Sequence, residues 1–131
     1  MIAIDTNVLL RLILHDDARQ TARAFTLVER AAAAGDELFV ADVVLCETLW
    51  VLRSTHHVAR ADLEATVRDL LKVRRFAFQS PDAAARALAA FAAGRGDFAD
   101  YFIREHAVAA GCEYVATFDQ ALLREDGFRA P

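Results

Sequence analysis

Five acids stand where a strand pattern ends or a helix pattern begins: Asp5, Glu47, Asp97, Asp100 and Asp119. Asp5 directly follows the short β-favouring run at 2–4. Glu47 lies early in the helical pattern behind an apolar run at 38–40. Asp97 and Asp100 open the helix after Gly94-Arg95-Gly96, and Asp119 follows the strand pattern at 114–117. In an open parallel sheet, strand ends and the helix starts behind them gather along one edge, and ligands bind there. Acids distant in sequence are therefore expected to meet in one crevice. Carboxylates are hard oxygen donors, which suits Mg²⁺ or Mn²⁺ better than zinc. No histidine pair has zinc spacing, and His15, His56, His57 and His106 are assigned no chemistry.

Each acid also has a plainer role. Asp5 can cap the first helix, although Thr6 and Asn7 can do so too. Asp97 and Asp100, spaced i, i+3, can act as cap and helix-dipole partner, with Asp97 the better placed as cap. Asp119 can cap a short helix. Glu47 is the least comfortable acid. Val43, Val44, Trp50 and Val51 lie three and four residues from it, and a carboxylate buried on such a face needs a partner. That partner is either a metal ion or an arginine such as Arg11.

The elements that must position these acids follow from pattern and punctuation. After the first strand, a helical pattern runs through Val8, Leu9, Leu12 and Ile13 and breaks at His15-Asp16-Asp17. Asp17 caps a second helix over 18–34, which Gly35-Asp36 ends. A strand at 38–40 leads through a cap at Asp42 into a helix over 43–55. Another helix over 60–73, capped near Asp62, precedes a strand at 76–78. Ser80-Pro81-Asp82 starts the next helix with proline at its first position, and that helix ends near Gly94. A helix over 98–110 stops at Gly111. The strand at 114–117, a short helix at 119–124 and an edge strand at Phe128-Arg129 complete the chain. Strands alternating with helices imply an α/β fold with a mainly parallel sheet.

At 131 residues the chain fits one domain spanning 1–131, with no repeat or linker. Its 56% hydrophobic content is high for a soluble domain. Alanine-rich helices account for part of this, and a buried self-association surface would account for the rest. The net charge of -4 argues mildly against a basic nucleic-acid coat protein. It leaves a nuclease open, because divalent metal removes the repulsion between a carboxylate cluster and phosphate. Cys46 and Cys112 have no CxxC partner, read as small buried hydrophobes, and point to a reduced, cytoplasmic setting. No basic leader opens the chain, and no apolar run is long enough to span a membrane.

Several segments resemble the PIN-domain nucleases, most closely the VapC-type toxins of bacterial type II toxin–antitoxin pairs. IDTNVLLRLILHDD is similar to the family's opening block, with Asp5 as first acid. VVLCETLWVLR resembles the second block, with Glu47. GDFADYFIREHAVAAGC resembles the third, with Asp100 as its acid and Asp97 as an additional one. VATFD resembles the last, with Thr117 and Asp119. The order and spacing of these blocks are more specific than any one of them. Arg104 departs from the pattern, standing where members often carry a small residue, and would place a charge near the site or a dimer surface.

The resemblance implies a three-layer α/β/α fold with a mainly parallel sheet of four to five strands. It implies a Mg²⁺-dependent endoribonuclease, with Mn²⁺ able to substitute. Asp5, Glu47, Asp100 and Asp119 would hold the metal, Asp97 would be an optional fifth ligand, and Thr6, Asn7 and Thr117 would fix the acids in place. The implied partners are RNA, a cognate antitoxin and a second copy of the chain. Arg11, Arg74 and Arg75 are candidates to grip phosphates but are not assigned. A haloacid-dehalogenase phosphatase would need an acid at Asn7, and a receiver domain a lysine near the last strands, whereas the only lysine is Lys72. The remaining alternative is a non-catalytic interaction module whose acidic pocket binds basic partner segments.

Overall fold

The computed structural model describes residues 1–131 and is mixed α/β. It comprises two compact units, Met1–Pro81 and Asp82–Pro131.

In the first unit, three short strands, β1 (Ile2–Ala3), β2 (Leu38–Val40) and β3 (Phe76–Phe78), form one parallel sheet in the order β1-β2-β3. Ile2 pairs with Leu38 and Leu38 with Phe76. Leu38 and Val40 of the central strand are fully buried. Parallel neighbours need long crossovers, and two helices supply each of them. Helices α1 (Thr6–Leu14) and α2 (Ala18–Ala34) join β1 to β2, while α3 (Asp42–Ser54) and α4 (Arg60–Leu71) join β2 to β3. Helix α1 packs against α2 and α3, burying Leu9 and Leu10.

The helix ends follow local chemistry. Asp17 caps α2 by accepting the Gln20 N–H at 2.9 Å. Gly35 closes α2 at φ +73°, a left-handed conformation that glycine adopts without strain. Two anticipated caps move by a residue or more. Ala41, not Asp42, precedes α3, and Ala59 precedes α4, which leaves Asp62 inside the first turn. Asp42 instead accepts the Ser80 hydroxyl at 2.7 Å, tying the start of α3 to the segment after β3.

One buried polar group in this unit is unsatisfied. Thr48 on α3 is wholly buried, and its hydroxyl has no hydrogen-bond partner. A buried hydroxyl without a partner costs about 1–3 kcal/mol. Thr48→Val, which keeps the shape and removes the polar atom, is expected to raise stability by about 1 kcal/mol. Urea unfolding measures this, and a fall in midpoint would show that the hydroxyl is satisfied in solution.

The second unit holds α5, which starts at Pro81 as expected and runs Pro81–Ala93, and α6 (Phe98–Ala109). Strands β4 (Val115–Ala116) and β5 (Phe128–Arg129) pair in parallel as a separate two-stranded sheet. The anticipated helix over 119–124 shrinks to a 3-10 turn at Leu122–Arg124. All five strands pair in parallel, but as three plus two. Buried Phe91, Phe98, Tyr101, Phe102, Leu122 and Phe128 form this unit's apolar interior.

Arg104 has a structural role here. Its guanidinium lies over the rings of Tyr101 (5.2 Å) and Phe128 (5.6 Å) and donates to the Asp126 carbonyl at 3.0 Å. It joins α6 to the chain before β5, and these contacts rather than a metal site account for the charge at this position.

No helix is long and apolar enough to cross a membrane.

Candidate functional site

The candidate acids divide between the units: Asp5 and Glu47 in the first, Asp97, Asp100 and Asp119 in the second. Asp5 leaves β1 in an extended conformation and caps α1, its Oδ1 accepting the Val8 N–H at 3.0 Å. Asp119 repeats the arrangement behind β4. Its Oδ1 accepts the Ala121 N–H at 2.9 Å, and its own N–H donates to Thr117 Oγ1 at 3.1 Å. In both residues one oxygen is tied to the backbone and the other carries no protein hydrogen bond. The carboxylate is thus held in one orientation with an acceptor left over.

Asp97 and Asp100 form the start of α6. Asp97 occupies the N-cap, and Asp100, one turn in, accepts the Asp97 N–H at 2.8 Å. This is the reciprocal arm of a capping box. Both side chains are half-buried. The cap reading of Asp97 is therefore correct as geometry, and Asp100 shares in it.

Glu47 corrects the reading of its helix face. The residue is exposed rather than buried, and so are two of its apolar neighbours, Val43 (69%) and Trp50 (60%). Helix α3 buries Leu45, Thr48, Leu49 and Leu52, so positions 43, 47 and 50 form its outer stripe. Glu47 needs no partner to offset burial. The Arg11 pairing does not form either, because Arg11 bonds to Asp16 Oδ1 at 2.5 Å and Gln20 Oε1 at 2.7 Å. That guanidinium holds the Asp16 carboxyl below the usual carboxylate range. Among the other arginines considered, Arg75 donates to the Asp36 carbonyl at 3.1 Å, and Arg74 is solvated.

Thr6 is buried and Asn7 exposed, both in the first turn of α1. Cys46 is half-buried, and burial, with Asp42 adding to it, pushes its thiol up to about 11. Cys112 is exposed, contrary to the expectation that both cysteines are buried.

Each unit carries an open cleft, and of the candidate acids only Asp5 lines one. In the first, a cleft of about 410 Å³ is lined by Asp5, Asn7, Arg11, Gln20 and Arg23. In the second, a cleft of about 460 Å³ is lined by Gly94, Arg95, Gln120, Arg124 and Glu125. The second was not anticipated. The Gly94-Arg95-Gly96 segment between α5 and α6 is pinned: Tyr101 accepts the Gly96 N–H at 2.8 Å, and Glu125 Oε1 accepts both the Tyr101 hydroxyl and the Arg95 N–H at 2.9 Å. A Cβ on Gly94 would collide with the Tyr101 hydroxyl, and one on Gly96 would come within 2.6 Å of Leu122. Two glycines flanking an arginine, with a tyrosine five residues on, are the available sequence signal.

Within neither unit do three His, Cys, Asp or Glu side chains gather into a metal-holding group. The donor set still suits a hard divalent cation, being made only of carboxylates, two of which keep an uncommitted oxygen.

No curated protein matches the chain. The PIN domain family matches residues 2–127, spanning all four acid-bearing segments, and the chain belongs to this family.

Proposed function

We propose that this PIN-domain protein, from a family generally made up of nucleases, is a Mg²⁺-dependent endoribonuclease and the toxin of a toxin–antitoxin pair. In this reading residues 1–131 work as one domain. Asp5, Glu47, Asp100 and Asp119 hold the divalent cation, with Asp97 a further candidate. The observation that carries the reading is the shared geometry of Asp5 and Asp119. Each carboxylate follows a strand, has one oxygen fixed to the backbone, and leaves the other free. Such a carboxylate is oriented before any ligand arrives, which reduces the ordering cost of binding.

Mg²⁺, when bound, supplies positive charge for the phosphoryl oxygens and a water acidic enough to attack phosphorus near neutral pH. The chain's own residues do the rest. Thr117 holds the Asp119 turn through its hydroxyl. One carboxylate accepts the proton of the attacking water, and the N-terminus of α1 favours the scissile phosphate. The partners in this reading are RNA, a second copy of the chain and a cognate antitoxin whose basic side chain can replace the metal's charge, and the chain acts in the cytoplasm.

Purified protein is expected to cut RNA with Mg²⁺ or Mn²⁺ and stop with EDTA. Mg²⁺ at about 100 times its dissociation constant is expected to add about 2.7 kcal/mol of stability. Absence of both responses would sink the reading. One observation favours a second reading, a non-catalytic module that binds basic segments: Asp5, Asp97, Asp100 and Asp119 all take part in capping or turn hydrogen bonds. That module would show neither cleavage nor Mg²⁺-linked stabilisation.

A further inference from the structure

The first unit's cleft holds more than Asp5. Arg23 on α2 lines it too, is exposed, and has no ion-pair or hydrogen-bond partner, although the chain as a whole is negative. An exposed arginine is ordinarily just solvated. This one shares its cleft with side chains whose hydrogen-bonding sense is already set. Arg11 donates through Nε to Gln20 Oε1 at 2.7 Å and through Nη1 to Asp16 Oδ1 at 2.5 Å. With its oxygen taken, the Gln20 carboxamide has its NH₂ left to offer, and a guanidinium has no acceptor at all. Gln20, Arg11 and Arg23 therefore line the cleft with donors. Val8, Ala24 and Leu27 give the same cleft an apolar lining. Its volume of about 410 Å³ lies within the roughly 300–1,000 Å³ usual for small-ligand sites.

An apolar surface beside fixed donors fits a flat ring whose edge carries acceptors. Guanine shows two adjacent acceptors on one edge, O6 and N7, and an arginine fork bonds to both. Adenine puts an amino group beside N7, and cytosine carries an amino group in the equivalent place, so each would set donor against donor. Uracil offers a single carbonyl there. We infer that this cleft is a guanine subsite: the base lies on Val8, Ala24 and Leu27, the Arg23 guanidinium donates to O6 and N7, Gln20 adds a donor to the same edge, and the nucleotide's phosphate falls at Asp5. This rests on the ribonuclease reading and deepens it, since it makes Arg23 a specificity-determining residue that sets where RNA is cut.

The test is fluorescence anisotropy of the full chain, in EDTA, with a labelled 12-nucleotide RNA of adenine and uracil that carries one guanine. The same RNA with adenine or 7-deazaguanine in that place is the comparison, since 7-deazaguanine lacks the N7 acceptor and keeps O6. The guanine RNA is expected to bind on the order of tenfold more tightly than the adenine RNA, with much of that advantage lost in the 7-deazaguanine RNA. Arg23→Ala is expected to erase the preference, so that the three RNAs bind alike. The 7-deazaguanine penalty should vanish in this variant, because the cycle of the two changes isolates the contact between Arg23 and N7. With Mg²⁺ present, cuts should map beside the guanine in the parent and spread in Arg23→Ala. Equal affinity of the parent for the guanine and adenine RNAs overturns the inference. So does a 7-deazaguanine penalty that persists in Arg23→Ala, or an Arg23→Ala loss of the same size for every RNA, which would make the arginine a phosphate contact. A chain that prefers guanine through Arg23 but never cuts leaves the inference standing and sinks the nuclease reading. A chain that cuts RNA equally beside every base does the reverse.

Discussion

On the proposed reading, Asp119→Asn and Asp5→Asn are each expected to lower Mg²⁺-dependent RNA cleavage by on the order of 10²–10⁴-fold, with little change in melting temperature. The substitution separates the two roles that these acids can have. In the structural role each acts through Oδ1, which accepts a backbone N–H two or three residues ahead, Asp5 as the cap of α1 and Asp119 within a turn. Asparagine retains a carbonyl oxygen in that place and caps about as well as aspartate. As a metal ligand, each acts through its negative charge and its uncommitted oxygen, and asparagine removes the charge. A pure capping role therefore predicts an innocuous Asn variant and an Ala variant that loses about 1 kcal/mol. A metal role predicts a well-folded, inactive Asn variant. Asp100→Asn extends the comparison to the capping box, where the side chain accepts the Asp97 N–H and asparagine can again substitute. Because Asp5 belongs to the first unit and Asp119 to the second, loss of cleavage in both would also show that the units act together. If both Asn variants cut RNA at the parental rate while the Ala variants melt earlier, the acids are caps and the nuclease reading fails.

Features set by local chemistry were legible in the sequence. Asp17, Gly35 and Pro81 mark helix ends as anticipated, because a cap or a left-handed turn involves only residues a few positions away. The positions of Asp5 and Asp97 at helix starts were legible for the same reason, whereas Asp119 starts no helix and sits in a turn ahead of Leu122–Arg124. Glu47 was not. Helix α3 carries apolar residues on nearly every side, so its pattern cannot say which stripe faces inward. Packing on α1 and α4 decides that, and it leaves Val43, Glu47 and Trp50 outside. The pairing of Arg11 with Asp16 and Gln20 depends on the turn at His15, whose φ of +53° few residues adopt. The cleft at Arg95 was hidden more deeply. It requires the Leu122–Arg124 turn to lie against a loop almost thirty residues earlier, through a hydrogen bond from Tyr101 to Glu125.

That hydrogen bond gives the largest expected effect on stability. Tyr101 is fully buried, its ring lies edge-on to Phe128 with centroids 6.4 Å apart, and its hydroxyl bridges the Gly96 N–H and Glu125 Oε1. Tyr101→Ala removes a buried aromatic ring and both bonds. The expected loss is about 3–5 kcal/mol, or roughly 10–20 °C in melting temperature for a chain of this size. Tyr101→Phe divides the effect. It keeps the ring and leaves the buried Gly96 N–H without its acceptor, at a cost of about 1–3 kcal/mol. Glu125 still receives the Arg95 N–H, so the loop loses one of its two ties rather than both. Hydrogen exchange at the Gly96 amide is expected to accelerate in the Phe variant even where the global melt shifts little, because the freed donor opens locally. Parental melting and parental Gly96 exchange in Tyr101→Phe would show that the hydroxyl does not hold the loop. The pinned position of Arg95 would then need another cause.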